Sequence, residues 1–188
     1  TDYVLFQAFL VQRRSTYQLY MKKSNDGGAT WGEAKRITYF DENINGNVSE
    51  ADNFDNQRPN FRVEGNKIKL AWERRNINEA NPQIYYAEFN LDGNLIGEPE
   101  KVSRDGRTCN YPRLASFRGE TFLTWFDNRM GDYRIIIAAF NGILWRERDL
   151  SPMAGNSIFG QPVETDDSLY IFWENRTGQR SRIVMIGP

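Results

Sequence analysis

One short strand pattern occurs four times along the chain. Each copy is an apolar run followed by Gln, Glu or Asp, then Arg or Asn, and then Arg. The copies read FLVQRR, LAWERR, TWFDNR and IFWENR, at residues 9–14, 70–75, 124–129 and 171–176. The closing arginines lie 61, 54 and 47 residues apart. A period near 50 residues predicts an architecture built from stacked structural repeats.

Other strand-like segments surround each copy of this pattern, which we call strand b. Strand c follows every copy, at residues 17–21, 83–89, 133–140 and 181–186. A proline-containing strand a precedes the last three copies, at 57–63, 110–117 and 160–166. Strand d follows the first three, at 33–38, 97–103 and 143–151. The sequence therefore predicts an all-β fold of β-propeller blades, each a four-stranded antiparallel meander. We expect one domain over residues 1–188, with repeats at about 1–40, 57–103, 110–151 and 158–188.

The repeats are incomplete at both ends. The first copy has no strand a, and the last has no strand d. A blade assembled from the two ends of the chain would have to contain both a-b-c and b-c-d, which does not fit four strands. We therefore predict an arc or part of a larger propeller, completed by further blades of a larger chain or by another subunit. A compact four-bladed ring is the alternative.

The composition narrows the possible functions. The 24 basic residues balance 25 acidic ones, so no basic surface for nucleic acid is expected. No apolar run is long enough to span a membrane. The chain contains no histidine, which excludes Ser-His-Asp, Cys-His and imidazole chemistry. Any catalysis would have to use carboxylates, Tyr, Arg or Lys.

The segment SNDGGATW, residues 24–31, joins strands c and d of the first copy. Asp26 can accept hydrogen bonds from the amides of its own turn, and glycine permits positive φ. A metal or phosphate site is the alternative. The motif formed by Ser24, Asp26, Gly28, Thr30 and Trp31 resembles the Asp box, or BNR repeat, of sialidase-like β-propellers. The Glu/Asp-x-Arg ending of strand b extends this resemblance more loosely. We expect the Asp box to stabilise its hairpin rather than to bind a ligand, with Trp31 packing against the blade.

Successive loops of a meander alternate between its two ends. The b–c and d–a loops share one face, called the upper face here, and the a–b and c–d loops share the lower face. The upper face carries the terminal arginines of strand b. The candidate ligand-binding residues are Arg75, Arg113, Asp127, Arg129 and Arg176.

The resemblance implies a possible role for these arginines. Sialidases use three arginines to hold a carboxylated sugar, together with a tyrosine nucleophile, a partner Glu and an acidic proton donor. Their Phe/Tyr-Arg-Ile-Pro segment is absent, and the nearest substitute, Tyr111-Pro112-Arg113, has a different order. No catalytic residue is therefore assigned. The alternative is structural: each arginine pairs with the Glu or Asp two residues earlier.

A possible calcium loop lies at residues 41–52, DENINGNVSEAD. Its spacing offers Asp41, Asn43, Asn45, Asn47 and Asp52 as oxygen ligands, in the order of a twelve-residue calcium loop. Asp replaces the usual bidentate Glu, so a modest affinity is expected. The alternative is a solvated, Asn-rich d–a connection.

The favoured prediction is an extracytoplasmic, sialidase-like propeller segment, whether secreted, periplasmic or at the cell surface. It would act as a non-catalytic carbohydrate- or protein-binding module or as a scaffold. The alternative is part of a sialidase-like glycoside hydrolase whose catalytic residues are incomplete in this chain. Fold alone does not decide between them, because propellers host many functions.

Overall fold

The computed structural model describes residues 5–13, 16–38, 53–105, 107–151 and 154–187, which form strands and turns without any helix. No helix able to cross a membrane therefore occurs in these ranges. The fourteen strands found there are β1 (Leu5–Arg13), β2 (Thr16–Ser24), β3 (Lys35–Arg36), β4 (Phe54–Glu64), β5 (Lys67–Asn76), β6 (Gln83–Asn90), β7 (Leu95–Lys101), β8 (Cys109–Phe117), β9 (Glu120–Met130), β10 (Asp132–Phe140), β11 (Trp145–Asp149), β12 (Asn156–Glu164), β13 (Leu169–Thr177) and β14 (Arg180–Ile186).

The strands form four antiparallel sheets, called blades 1 to 4. Their strand orders are β1-β2-β3, β4-β5-β6-β7, β8-β9-β10-β11 and β12-β13-β14. Each blade is a meander, and neighbouring blades are in contact in chain order. Among the described residues, blades 1 and 4 share no extensive contact, so the sheets do not close into a ring. The predicted all-β fold of propeller blades is confirmed, including b-c-d in blade 1 and a-b-c in blade 4.

The hydrophobic core lies between the blades. Alternate side chains of a strand point to opposite faces, so each central strand contributes to the boundaries on both of its sides. One cluster of buried residues fills each boundary, between blades 1 and 2, 2 and 3, and 3 and 4. Each cluster contains one of the strand-b tryptophans Trp72, Trp125 and Trp173, all of them buried. Truncating such a residue to alanine typically costs about 3–5 kcal/mol.

Strand d ends with the same contact in blades 1, 2 and 3, which we call the clasp. The hydroxyl of a Ser or Thr just after strand d accepts the N–H of a buried residue in strand c. The apolar residue before that Ser or Thr donates its own N–H to the carbonyl of the same strand c residue. The hydroxyl bonds are Leu19 N to Thr38 Oγ1 (3.2 Å), Ile84 N to Ser103 Oγ (2.9 Å) and Ile135 N to Ser151 Oγ (2.8 Å). The carbonyl bonds run from Ile37, Val102 and Leu150, at 2.8–3.0 Å.

The clasps fix which residues of the repeats are equivalent. The c-strand residue after the clasp lies opposite Trp72 in blade 2 and opposite Trp125 in blade 3. Trp72 and Trp125 are therefore equivalent, whereas the sequence alignment of LAWERR with TWFDNR places Trp72 opposite Phe126. That alignment is wrong by one residue in the third copy. The position that corresponds to Arg75 is Asn128, and Arg129 is displaced to the opposite side of its strand.

Candidate functional site

The b–c and d–a loops of blades 2 and 3 meet on the upper face, as strand alternation predicts. Cys109 donates its N–H to the carbonyl of Pro82 at 3.0 Å. The Thr108 hydroxyl donates to Oδ1 of Asn81 at 2.6 Å. These bonds join a d–a loop to a b–c loop and fix the rim of the site.

The a strands of blades 2, 3 and 4, which are β4, β8 and β12, carry a bulge at the same repeat position. Arg58, Tyr111 and Phe159 have φ values of 49°, 56° and 59°, in the left-handed region that non-glycine residues rarely adopt. The register of strand a against strand b shifts around each of them. Bulges of this kind redirect side chains, and backbone strain concentrates at functional sites.

The three bulge residues form a continuous row across blades 2, 3 and 4. The Arg58 guanidinium lies 4.6 Å from the centroid of the Tyr111 ring. The Tyr111 and Phe159 rings meet edge to face, with centroids 4.9 Å apart. Both contacts are attractive, the first because a cation faces a π system. We call these three residues the bulge row.

A polar pocket of about 230 Å³ opens beside the blade 2 end of this row. Its charged lining consists of Asp55, Arg58, Glu73 and Arg75. Glu73 accepts a hydrogen bond of 2.5 Å from Nη1 of Arg58 and one of 2.7 Å from the N–H of Tyr111. Burial raises the pKa of Glu73, although both of these donors favour its charged form. Glu73 thus links the bulges of two neighbouring blades.

The Asp55 carboxylate, like that of Glu73, is held by hydrogen bonds from the protein. Its Oδ1 accepts the N–H of Tyr17 at 2.8 Å, which ties blade 2 to blade 1. Its Oδ2 accepts Nε2 of Gln57 at 2.6 Å and lies 3.7 Å from Nη2 of Arg75. The two carboxylates of the pocket are therefore both satisfied by protein donors.

An aromatic pocket of about 370 Å³ lies beside the polar one, and Asn110 lines both. The ring of Tyr111 stacks on Phe126 at 5.5 Å and 17°. Phe126 meets Tyr133 edge to face at 5.1 Å. Arg176 lies at the margin of this pocket. We call the two pockets together the upper-face groove: it combines paired charges and amides with an aromatic wall, as ligand sites commonly do.

The structure places two of the predicted ligand-binding residues in the groove, Arg75 and Arg176. Arg176 also makes the predicted pair with the acid two residues earlier, since its Nε lies 2.6 Å from Oε1 of Glu174. Arg75 instead faces Asp55. Arg113 donates to the carbonyl of Pro112 at 2.9 Å and lines neither pocket.

Arg129 and Asp127 lie outside the groove. Asp127 is fully buried and accepts bonds of 2.6–2.9 Å from the Arg129 guanidinium. Arg129 also contacts Glu147 at 3.1 Å. Asp127 and Glu147 raise the pKa of Arg129 against the opposing effect of burial. The one-residue offset in the third copy explains this placement, because it moves the arginine away from the position of Arg75.

Sequence reasoning missed Arg58, Asp55, Phe126 and Phe159 as site residues. Equivalent positions in the repeats carry different residue types, so no recurring residue identifies these four in the sequence. A weaker signal was available: Pro59, Pro112 and Gly160 directly follow the three bulge residues. Proline within a strand is confined to edges and bulges.

On the lower face, Asp26 organises the turn that resembles an Asp box. Its Oδ1 accepts the Ser24 hydroxyl at 2.7 Å and the Thr30 N–H at 2.9 Å, and its Oδ2 accepts the Thr30 hydroxyl at 2.5 Å. The hydrogen bonds from Thr30 and Ser24 lower the pKa of Asp26 to about 2. Gly27 and Gly28 adopt the positive φ that the turn needs. Trp31 remains 38% exposed and belongs to none of the core clusters.

The proposed calcium loop, residues 41–52, lies outside the described residues. Elsewhere, the part of the chain that the structure describes holds no cluster of three or more acidic or cysteine side chains suited to a metal ion.

Comparison with known proteins supports the fold. No protein-family model matches the chain, and no curated protein matches it in sequence. The endo-arabinase from Bacteroides thetaiotaomicron superposes with a TM-score of 0.61 at 14% identity, over 98% of this chain and 70% of that protein. A thermostable family-43 glycoside hydrolase gives 0.58 at 13%, over 96% and 66%. The Trypanosoma rangeli sialidase gives 0.63 at 14%, over 97% and 34%, so this chain spans about a third of its length. The shared feature is the β-propeller fold of these glycoside hydrolases.

Proposed function

We propose that this chain is a carbohydrate-binding segment of an extracytoplasmic β-propeller protein, and that the upper-face groove binds the sugar. The observation that carries the proposal is the bulge row, which sets a charged pocket beside an aromatic one. Hydroxyl groups can bond to the polar pocket while the C–H face of a sugar ring packs on Tyr111 or Tyr133. The structural similarity to glycoside hydrolases supports carbohydrate as the ligand class.

Binding without catalysis is the favoured form of this proposal. Both oxygens of Glu73 accept hydrogen bonds from the protein, and so do both oxygens of Asp55. A general acid or a nucleophile needs an oxygen directed at the substrate. In each of these carboxylates, one oxygen instead bonds to a neighbouring blade and the other to a side chain of blade 2. Protein binding by the same groove and a scaffolding role in a larger assembly are weaker forms of the proposal. Completion by further blades, from a larger chain or another subunit, belongs to it as well.

Part of a glycoside hydrolase is the second candidate. Two carboxylates line one pocket, and the pKa of Glu73 is raised, as glycosidase chemistry requires of a proton donor. Release of reducing ends from a panel of oligosaccharides, measured on wild type and Glu73→Gln, tests this candidate. Hydrolysis by wild type that the variant lacks would replace the binding proposal with an enzymatic one.

The binding proposal is tested by glycan-array screening followed by isothermal titration. Tyr111→Ala should weaken binding of the best glycan by about tenfold, since it removes a central aromatic contact. Trp31→Ala is the matched control, because Trp31 is an exposed aromatic on the lower face. Equal affinity of wild type and Tyr111→Ala would remove the groove as the binding site.

We also propose that residues 41–52 bind Ca²⁺ through Asp41, Asn43, Asn45, Asn47 and Asp52. The oxygen-rich spacing of the loop supports this. Calcium titration of wild type and Asp41→Ala tests it: binding heat is expected for wild type only, and no heat with wild type would end the proposal.

A further inference from the structure

The arginines that line the upper-face groove share one property: each faces a carboxylate of the protein. Arg58 contacts Glu73 at 2.5 Å, and Arg176 contacts Glu174 at 2.6 Å. Arg75 lies 3.7 Å from Asp55. Positive and negative groups of the groove are therefore matched one to one.

The two closest pairs, Arg58–Glu73 and Arg176–Glu174, occupy guanidinium donors that a ligand carboxylate would need. Burial alone would lower the pKa of Arg58, but the negative charge of Glu73 raises it. Two parallel contacts bind Arg176 to Glu174, from Nε at 2.6 Å and from Nη2 at 3.0 Å, which is the bidentate geometry a carboxylate prefers. An acidic sugar that took over these donors would have to displace an internal carboxylate, and leaving the buried Glu73 unpaired is unfavourable.

We infer that the groove selects uncharged sugars over sugars that carry a carboxylate. This inference rests on the proposed function, and it differs from the carboxylate recognition that the sialidase resemblance implies. Sugar hydroxyls both donate and accept, so they can bond to the outer lone pairs of Asp55 and to the amide of Asn110 without disturbing an ion pair. The aromatic wall needs no charge on the ligand.

Matched pairs of ligands test the inference: lactose against 3′-sialyllactose, and galactotriose against trigalacturonic acid. The neutral member of a pair should bind at least about tenfold more tightly, the loss expected for a displaced charged hydrogen bond. Its affinity should change less than about twofold between roughly 20 and 500 mM sodium chloride, because no net charge is neutralised. Tighter binding of the acidic members, weakened by salt, would overturn the selectivity and leave the proposed function standing. If no member of either pair and no glycan of the array binds, the proposed function itself fails.

A charge variant tests the cause of the selectivity. Glu174→Gln removes the partner of Arg176 while keeping the side-chain shape, and it should increase the affinity for the acidic members by about tenfold. The readout is the ratio of acidic to neutral affinity, so an effect of the variant that is common to both members of a pair cancels. Glu120→Gln makes the same charge change at an exposed position on the lower face and should alter neither affinity. A Glu174→Gln protein that unfolds at the wild-type denaturant midpoint, yet gains no affinity for acidic sugars, would overturn the inference.

Discussion

The backbone strain at Phe159 leads to a prediction with a definite sign. Phe159 has a φ of 59° and is 44% exposed. A left-handed conformation costs a non-glycine residue about 1–2 kcal/mol, whereas glycine in a strand otherwise costs about 0.5–1 kcal/mol relative to alanine. At the midpoints of these ranges the difference favours glycine at this position by about 0.75 kcal/mol. Phe159→Gly should therefore be more stable than Phe159→Ala.

Comparing these two variants isolates the strain. Both lose the edge-to-face contacts of Phe159 with Tyr111 and Phe126, so that loss cancels. Val163, in the same strand and 43% exposed, provides the control, because its φ is not positive. There, glycine should be less stable than alanine by about 0.5–1 kcal/mol. The sign of the glycine–alanine difference should thus reverse within four residues.

Urea unfolding at equal m-values measures both differences, and 1 kcal/mol corresponds to about 2–4 °C in melting temperature for a chain of this size. If alanine is the more stable substitution at both positions, the left-handed backbone at Phe159 stores no strain and the reasoning fails.

Three further predictions concern the scaffold. The carboxyl of Asp26 should titrate by NMR at about 2, and Thr30→Val should move its midpoint toward the ordinary 3.8. Because folding lowers the pKa of Asp26, its ionised carboxylate stabilises the fold above pH 3.8, and this contribution is lost as the pH falls through about 2. A wild-type titration midpoint near 3.8 would contradict the hydrogen bonds of the turn. Ser103→Ala removes the clasp hydroxyl that accepts the Ile84 N–H and should cost about 1–3 kcal/mol in chemical denaturation, and an unchanged midpoint would argue against the clasp. Ile183 is 73% exposed on β14, the outer strand of blade 4. We expect wild type to self-associate through this strand in sedimentation velocity and Ile183→Lys to do so less, and an identical distribution of species for the two proteins would show that the strand does not associate.

The fold could be predicted because its determinants are local. The sequence alone shows the alternating apolar residues, the Asn- and Gly-rich turns and the recurring ending of strand b. The register could not be predicted, because TWFDNR contains tryptophan, an acid and arginine, as the second and fourth copies do, yet is offset from them by one residue. Only the pairing of Trp125 with Ile136 shows which face each side chain occupies.

The site was harder to predict for a different reason. An arginine, a tyrosine and a phenylalanine occupy the equivalent bulge positions, so their shared property is a backbone angle rather than a side-chain type. Contacts between blades, such as that of Glu73 with the Tyr111 N–H, depend on how two sheets pack. The predicted Arg75 and Arg176 do reach the groove, because their distance from the buried tryptophan of strand b is the same in blades 2 and 4.

The clasps affect how this chain folds and unfolds. Each clasp connects residues only 15–19 positions apart and lies within one blade. A blade can therefore close its outer strand without contacts distant in sequence, which favours rapid local folding. Among the described residues, most contacts between blades join neighbours in chain order, as in linear repeat proteins, where stability is the sum of unit and interface terms. The ion pair of Arg62 in blade 2 with Glu164 in blade 4, at 2.7 Å, adds a contact between blades that are not neighbours. Native-state hydrogen exchange should then resolve the Leu19, Ile84 and Ile135 amides into separate opening events, one for each blade.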